Sequence, residues 1–429
     1  LGLAGLVAAL VGPTQPASAD EPAPAAADGS EQVVSLLVAY EEGASPLADV
    51  TSADVELAAP VPLGDGVHSI ELSTAVDVGE AERISAELEE SPLVRWAEPD
   101  QAVSLPEDWA PEPAEHTVGG AGAVGASSTQ AGAPWGLDRI DQRTGTNGSY
   151  GYVATGSGVN VYVVDTGIRA THTDFGGRVA TGFTAVDDGF GSTDCHGHGT
   201  HVAGTVGGTT YGVAKGVTLV PVRVLDCNGD GTTSTVVEGI SWIRAHHPDH
   251  QPAVANFSLG GPASDALDEA IAALVAEGVT VVAAAGNDAV PACLESPARV
   301  PEVLTVAAST QSDEAADFSN YGSCTDIYAP GVNIVSAHAG SDAGSLSASG
   351  TSMAAPHVAG AAALLMDRTV YGDVAGWMDP LSTATALLDG ATPLDLFPPD
   401  PSDAKALLYT RLGGTPVGAL DAVTAKPGV

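Results

Sequence analysis

The sequence predicts an α/β protein in three layers, with a mostly parallel central sheet covered by helices on both faces, preceded by a small α+β domain. Three observations predict it. From Trp135 onward, short near-continuous apolar strands alternate with stretches of helical length, the pattern of a parallel sheet buried on both sides. Ahead of that lies a mixed unit of about seventy residues, judged by the usual lengths of strands and helices. Between the two, Leu105 to Gly132 is rich in Pro, Gly, Ala and Ser, as a linker open to proteolysis would be. A chain of 429 residues with 44% apolar content can bury the cores of two such units.

Along the chain, Leu1 to Val11 form a short apolar run followed by Pro13, Pro16 and Ala17-Ser18-Ala19 ahead of Asp20. This reads as a signal peptide, residues 1–19, cleaved after Ala19 and met from inside its leader. No later stretch reaches the roughly 18 uninterrupted apolar residues of a membrane span, so a secreted, extracellular protein without a membrane partner is expected. After the Pro/Ala-rich Glu21 to Ala27, Val33 to Tyr40 and His68 to Leu72 read as strands, Val78 to Leu88 as a helix and Val94 to Val103 as a final strand. In the larger unit, strands are expected at Val159 to Val164, Thr218 to Val224, Ala253 to Ser258, Thr280 to Ala284 and Val303 to Ala307. Helices are expected at Thr200 to Val206, Ser234 to Ala245, Ala266 to Glu277 and from Ser352 into Ala361 to Leu365.

Charge excludes some partners. The chain carries 54 acidic against 14 basic residues, a formal charge of −40, and its field repels nucleic acid and anionic membrane alike. Solubility is the plain explanation of the acidity, and adaptation to salt is a second one. All four cysteines, Cys195, Cys227, Cys293 and Cys324, fall in the larger unit. Export favours disulfides, and spacing leaves three pairings open.

Three polar residues stand where strands end or helices begin, the edge at which open α/β sheets hold ligands. Asp165 closes Val161-Tyr162-Val163-Val164-Asp165-Thr166-Gly167. His198 lies in Asp194-Cys195-His196-Gly197-His198-Gly199-Thr200-His201, and Ser352 in Ser349-Gly350-Thr351-Ser352-Met353-Ala354-Ala355-Pro356-His357. Taken singly, each has a mundane reading: a turn aspartate, a histidine among potential zinc ligands, and a helix cap. An aspartic dyad is excluded, because the chain has a single Asp-Thr-Gly. A zinc hydrolase using Cys195, His196, His198 and His201 remains an alternative, although the spacing matches no usual zinc motif.

Together the three segments resemble the subtilisin-like serine proteases (peptidase S8), in particular their proteinase K and aqualysin-like branch, over about Ala133 to Tyr409, in the family order Asp, His, Ser. The resemblance implies a subtilisin-like fold and a serine endopeptidase in which Asp165, His198 and Ser352 form the triad and Asn287 supplies the oxyanion hole. It implies that Ser258-Leu259-Gly260-Gly261 and the glycines Gly229 and Gly231 hold an extended peptide by strand addition, with Ala284 and Gly286 lining the pocket. Leu259 and Ala283 to Gly286 carry no charge, which favours an apolar or aromatic P1 side chain; Asp288 and Asp230 near the rim could add tolerance for basic residues, with solvated loop acids the plainer reading. It also implies the disulfides Cys195–Cys227 and Cys293–Cys324. Structural calcium is implied on Asp326 with the carbonyls of Pro301 and Val303, and a second calcium site on Asp138, Asp141 and Gln142.

The small domain, at about residues 31–106, resembles the inhibitor I9-type propeptides of these enzymes. Residues 20–127 are then a propeptide that acts as an intramolecular inhibitor, 128–412 the catalytic domain and 413–429 a tail. Self-processing is expected between about Thr117 and Gln130, and the substrates are proteins and peptides, cleaved by a monomer. A non-catalytic relative of the same fold is the other alternative.

Overall fold

A computed structural model describes residues 32–41, 43–44, 56–105, 111–114, 128–248, 250–371, 379–394, 403–404 and 406–411. The expected signal peptide, most of the expected processing region and the tail lie outside the described residues.

The small domain is α+β, as its sequence predicts. Strands Val61–Gly64, Val67–Asp77, Gln32–Tyr40 and Val94–Pro99 lie side by side in that order, all antiparallel. Helix Val78–Glu89 starts at Asp77, whose carboxylate accepts the Glu80 amide at 2.9 Å. It buries Ala81, Ile84 and Leu88 in one cluster with Leu36, Val38 and Ile70.

Val94 to Val103 is not one strand: it stops at Pro99 and resumes as Ala102–Ser104, which leaves the domain to pair antiparallel with Asp230–Thr232. Proline offers no N–H to continue a ladder. Asp100 then turns outward, accepting the Ser234 amide at 2.9 Å and its hydroxyl at 2.6 Å.

The large unit is built on a nine-stranded sheet. Its order is Phe183–Thr184, Thr218–Arg223, Asn160–Asp165, Ala253–Phe257, Thr280–Ala284, Leu304–Ser309, Ile327–Pro330, Ala406–Leu407 and Thr392–Pro393, parallel throughout except for the last pair. Successive side chains of a strand face opposite sides. Accordingly Val161 and Val163 join the core of helices His198–Gly207 and Thr351–Leu365 on one face. Tyr162 and Val164 join that of helices Thr233–His246 and Asp265–Ala276 on the other. This is the predicted three-layer arrangement. Ile327–Pro330 and the short edge strands were not read from the sequence, because runs of two to four residues carry too little periodicity.

Both disulfides take the pairing that the resemblance implied, Cys195–Cys227 and Cys293–Cys324. Among the described residues no helix is long and apolar enough to cross a membrane.

Candidate active site

The strand from Asn160 ends on Asp165, and the helix from His198 starts just above it. Their approach is possible only without side chains between them: a Cβ on Gly199 would lie 2.2 Å from the Gly167 carbonyl. Gly167 itself sits at φ 103°, where other residues are strained. The closeness brings His198 Nδ1 to 2.8 and 2.9 Å from the two Asp165 carboxylate oxygens, with both side chains buried. A proton on Nδ1 is thereby fixed, which makes Nε2 the basic nitrogen.

Asp194 builds the turn that presents His198. One of its oxygens accepts the Thr166 hydroxyl and the His196 and Gly197 amides, at 2.9, 3.0 and 2.7 Å. The other accepts the amide and hydroxyl of Thr200, at 2.9 and 2.6 Å. The sequence reading passed over this residue, although an aspartate just ahead of a helix is a capping signal.

Ser352 is the second residue of a helix whose every residue is buried. Pro356 follows in the same helix, and a proline has no N–H to give to the carbonyl four residues back. That carbonyl, on Ser352, instead accepts the Ser258 hydroxyl at 2.9 Å, while the Ser352 hydroxyl donates to the Ser258 carbonyl at 3.0 Å. The buried Asn256 donates its amide to the Ser258 hydroxyl at 2.9 Å. The reciprocal pair ties the helix start to the strand that continues as Leu259-Gly260-Gly261. Asn287 joins the same place, its Oδ1 accepting the amide and hydroxyl of Thr351 at 2.8 and 3.0 Å.

These residues border a cleft of about 500 Å³, to which Ser352, Asn287, Leu259, Gly260, Gly261, Ala284 and Gly286 contribute, with Asp288, Leu294 and Glu295. The cleft holds chain already. Ser104 bridges to Gly260, Val103 pairs with Gly231, and the Leu105 amide donates to the Gly229 carbonyl at 3.0 Å. The small domain is fastened above it through Glu98, which accepts the Ser264 hydroxyl at 2.5 Å and the Asp265 amide at 2.9 Å, and through Asp100 on the neighbouring helix start. Negative groups at helix N-termini are favourable, but the capping role of Glu98 and Asp100 was invisible in sequence because the capped helices belong to the other domain.

The remaining histidines do other work. His201 donates from Nε2 to the Ile334 carbonyl at 3.0 Å, and burial pulls its pKa down to about 3. His357 meets the Met353 carbonyl at 2.9 Å, with burial lowering it to about 4. His196 is lowered too, first by burial and then by neighbouring His198. The zinc alternative does not survive, since Cys195 is consumed in a disulfide and the ring of His201 is engaged by backbone.

Of the expected calcium ligands, Asp326 anchors one oxygen on the Thr305 amide at 2.8 Å, on the strand that follows Pro301 and Val303. A carboxylate combined with backbone carbonyls is a hard oxygen set of the kind that suits Ca2+. In the second set, Asp138 accepts the Asn147 and Gly148 amides at 2.8 and 2.7 Å and the Gln142 side-chain amide at 2.7 Å. Asp141 accepts the Gly151 amide at 2.6 Å through Oδ2, and its buried Oδ1 has no hydrogen-bond partner.

A buried Asp–His pair, together with a serine at a helix start and a side-chain amide that border one cleft, is the residue set of a hydrolase of the serine type. Comparison with known proteins specifies it. The sequence profile of the subtilase family, peptidase S8, matches residues 156–402, and the chain belongs to this family of serine-type endopeptidases. An extracellular serine proteinase of Thermus sp. (strain Rt41A) is 53% identical over 67% of this chain and 68% of its own length. Alkaline serine exoprotease A of Vibrio alginolyticus is 45% identical over 70% of this chain but only 54% of its own. A crystal structure of a cold-adapted subtilisin-like serine proteinase superposes with a TM-score of 0.61 at 46% identity, covering 65% of this chain and 99% of that one.

Asp194→Ala removes the cap and leaves several buried donors unpaired, so it should lower stability by about 2–3 kcal/mol and reduce peptidase activity with it. Thermal melts and a peptide assay measure both; an unchanged melting temperature contradicts the role given to Asp194.

Proposed function

We propose that this chain is the zymogen of a secreted, extracellular serine endopeptidase of broad specificity, active as a monomer, with apolar or aromatic side chains accepted at P1. The observation that carries the reading is the reciprocal Ser352–Ser258 pair, which sets a serine hydroxyl against the strand that would hold the peptide. Turning about its Cα–Cβ bond, Ser352 Oγ leaves the Ser258 carbonyl and gives its proton to His198 Nε2 as it attacks the scissile carbonyl. The imidazolium, held by Asp165, then passes that proton to the leaving amine, and an acyl-enzyme on Ser352 remains for water to hydrolyse. With Asn287 Oδ1 engaged by Thr351, Nδ2 is the end of the amide available to the oxyanion, alongside the Ser352 N–H at the helix start.

Residues 102–105 support the propeptide reading, because they lie in the cleft as a substrate strand would, paired with Gly229 to Gly231 and Gly260. Residues 20–127 then form an inhibitory propeptide, with 1–19 a signal peptide, 128–412 the enzyme and 413–429 a tail. The enzyme releases itself by cutting its own chain between about Thr117 and Gln130.

Ser352→Ala should leave the full chain uncut and inactive, and Asn287→Ala should process slowly, with kcat down about 100- to 1,000-fold, a magnitude taken from the equivalent donor of another subtilase. Gel analysis and a peptide assay decide it: pure Ser352→Ala that cuts itself as wild type does contradicts the serine mechanism.

Calcium on Asp326, with the carbonyls of Pro301 and Val303, would cross-link the loop before one sheet strand to the start of the next and add stability rather than chemistry. A second ion at Asp141 would satisfy the partnerless Oδ1, but would have to displace the Gln142 amide from Asp138. Chelation of calcium should lower the melting temperature of wild type. It should do so much less in Asp326→Ala, and an equal loss in both contradicts the Asp326 site.

A further inference from the structure

The inner part of the cleft carries a carboxyl group that peptide hydrolysis itself does not use. Glu295–Ser296 runs antiparallel to Gly261–Pro262, and this pairing brings Glu295 into the lining of the cleft together with Leu259 and Gly260. A Cβ on Gly286 would lie 2.4 Å from Glu295 Oε2, and a Cβ on Gly260 would lie 3.6 Å from the same oxygen. Oε2 therefore sits between the two backbone walls, at positions where both walls are bare. The other oxygen is held: Oε1 accepts the Asn320 side-chain amide at 2.9 Å. Asn320 is itself fixed by the Asp288 and Val290 amides, each donating to its Oδ1 at 3.0 Å.

Burial raises the Glu295 pKa, the Asn320 bond opposes the rise and the Asp288 carboxyl adds to it, leaving the group at about 7. At mildly alkaline pH it is an anion with a second carboxylate next to it. Among the described residues no arginine or lysine forms an ion pair with either Glu295 or Asp288. Two neighbouring carboxylates in a partly desolvated cleft are stabilised by an arriving cation.

We propose that Glu295, with Asp288 beside it, is a specificity-determining residue that admits lysine or arginine at P1. The methylene stem of such a side chain lies along Leu259 and Ala284, and its charged end reaches the Glu295 carboxylate. The uncharged walls still take apolar and aromatic side chains, so the basic class is added to them. The enzyme's own acidity, 31 acidic against 12 basic residues from position 128 onward, acts in the same sense by drawing basic peptides toward it. This inference rests on the reading of Ser352 as nucleophile, which makes the pocket next to it the P1 site.

The test uses the full chain after its own processing, at pH 8.5, with peptide p-nitroanilides that differ only in P1: Phe, Leu, Lys or Arg. Wild type should cleave all four. In Glu295→Gln the ratio of kcat/KM for Lys to that for Phe should fall by at least about fivefold, and a smaller fall overturns the proposal. Because both substrates report on the same molecules, a partly folded preparation leaves the ratio untouched. A second measurement needs no variant. Benzamidine should inhibit cleavage of the Phe substrate by wild type at least about fivefold more strongly than its neutral isostere benzamide, and equal inhibition also overturns the proposal. Failure of wild type to cleave any of the four peptides would instead contradict the serine-protease reading itself.

Discussion

Everything in the site is hung from one buried helix. Thr351–Leu365 is enclosed along its whole length, so its position is fixed by packing on all sides. Small residues make this possible: a Cβ on Gly360 would come within 2.7 Å of the Val213 side chain. Burial of a helix containing Pro356 creates a carbonyl without its helical donor, and an unmet carbonyl in a core is costly. The Ser258 hydroxyl meets it, and in doing so locks the helix start against the segment Ser258-Leu259-Gly260-Gly261, the edge proposed to hold peptide. The requirement that satisfies the backbone thus also fixes Ser352 relative to that edge.

The second support is the pair of turns around Asp165 and His198. Asp194 gathers the donors of the turn before His198, and the missing side chain of Gly199 lets that turn rest on Asp-Thr-Gly. The Asp–His contact is therefore assembled by backbone hydrogen bonds and close approach, with little freedom left to either ring or carboxylate. Such preorganisation is what a proton-transfer site needs, since no reorientation has to accompany the reaction.

Much of this was legible in the sequence, and the reasons differ by residue. The central strands are apolar on both faces, so Thr280–Ala284 was read to the residue and the longer helices to within a turn. Asp165, His198 and Ser352 were legible only jointly, because each alone has an ordinary structural explanation. The break after Pro99 was lost in an apolar run that looked continuous, since only the partner strand Asp230–Thr232 reveals that Ala102–Ser104 belongs to another surface. Glu98 and Asp100 cap helices across a domain boundary, a relation with no local signature.

Glu295 shows the limit most clearly. The walls were read as uncharged from Leu259 and Ala283 to Gly286, of which Leu259, Ala284 and Gly286 line the cleft, with Asp288 at the rim, yet Glu295 arrives from a separate two-residue strand. Chain connectivity gave no reason to place that strand there. The central claim, that Ser352 is the nucleophile of this assembly, is tested most directly by covalent labelling. The processed enzyme is treated with an organophosphonyl fluoride, followed by peptide mass mapping. The account predicts one adduct, on Ser352, appearing in step with loss of activity, and inactivation without an adduct on Ser352 would contradict it.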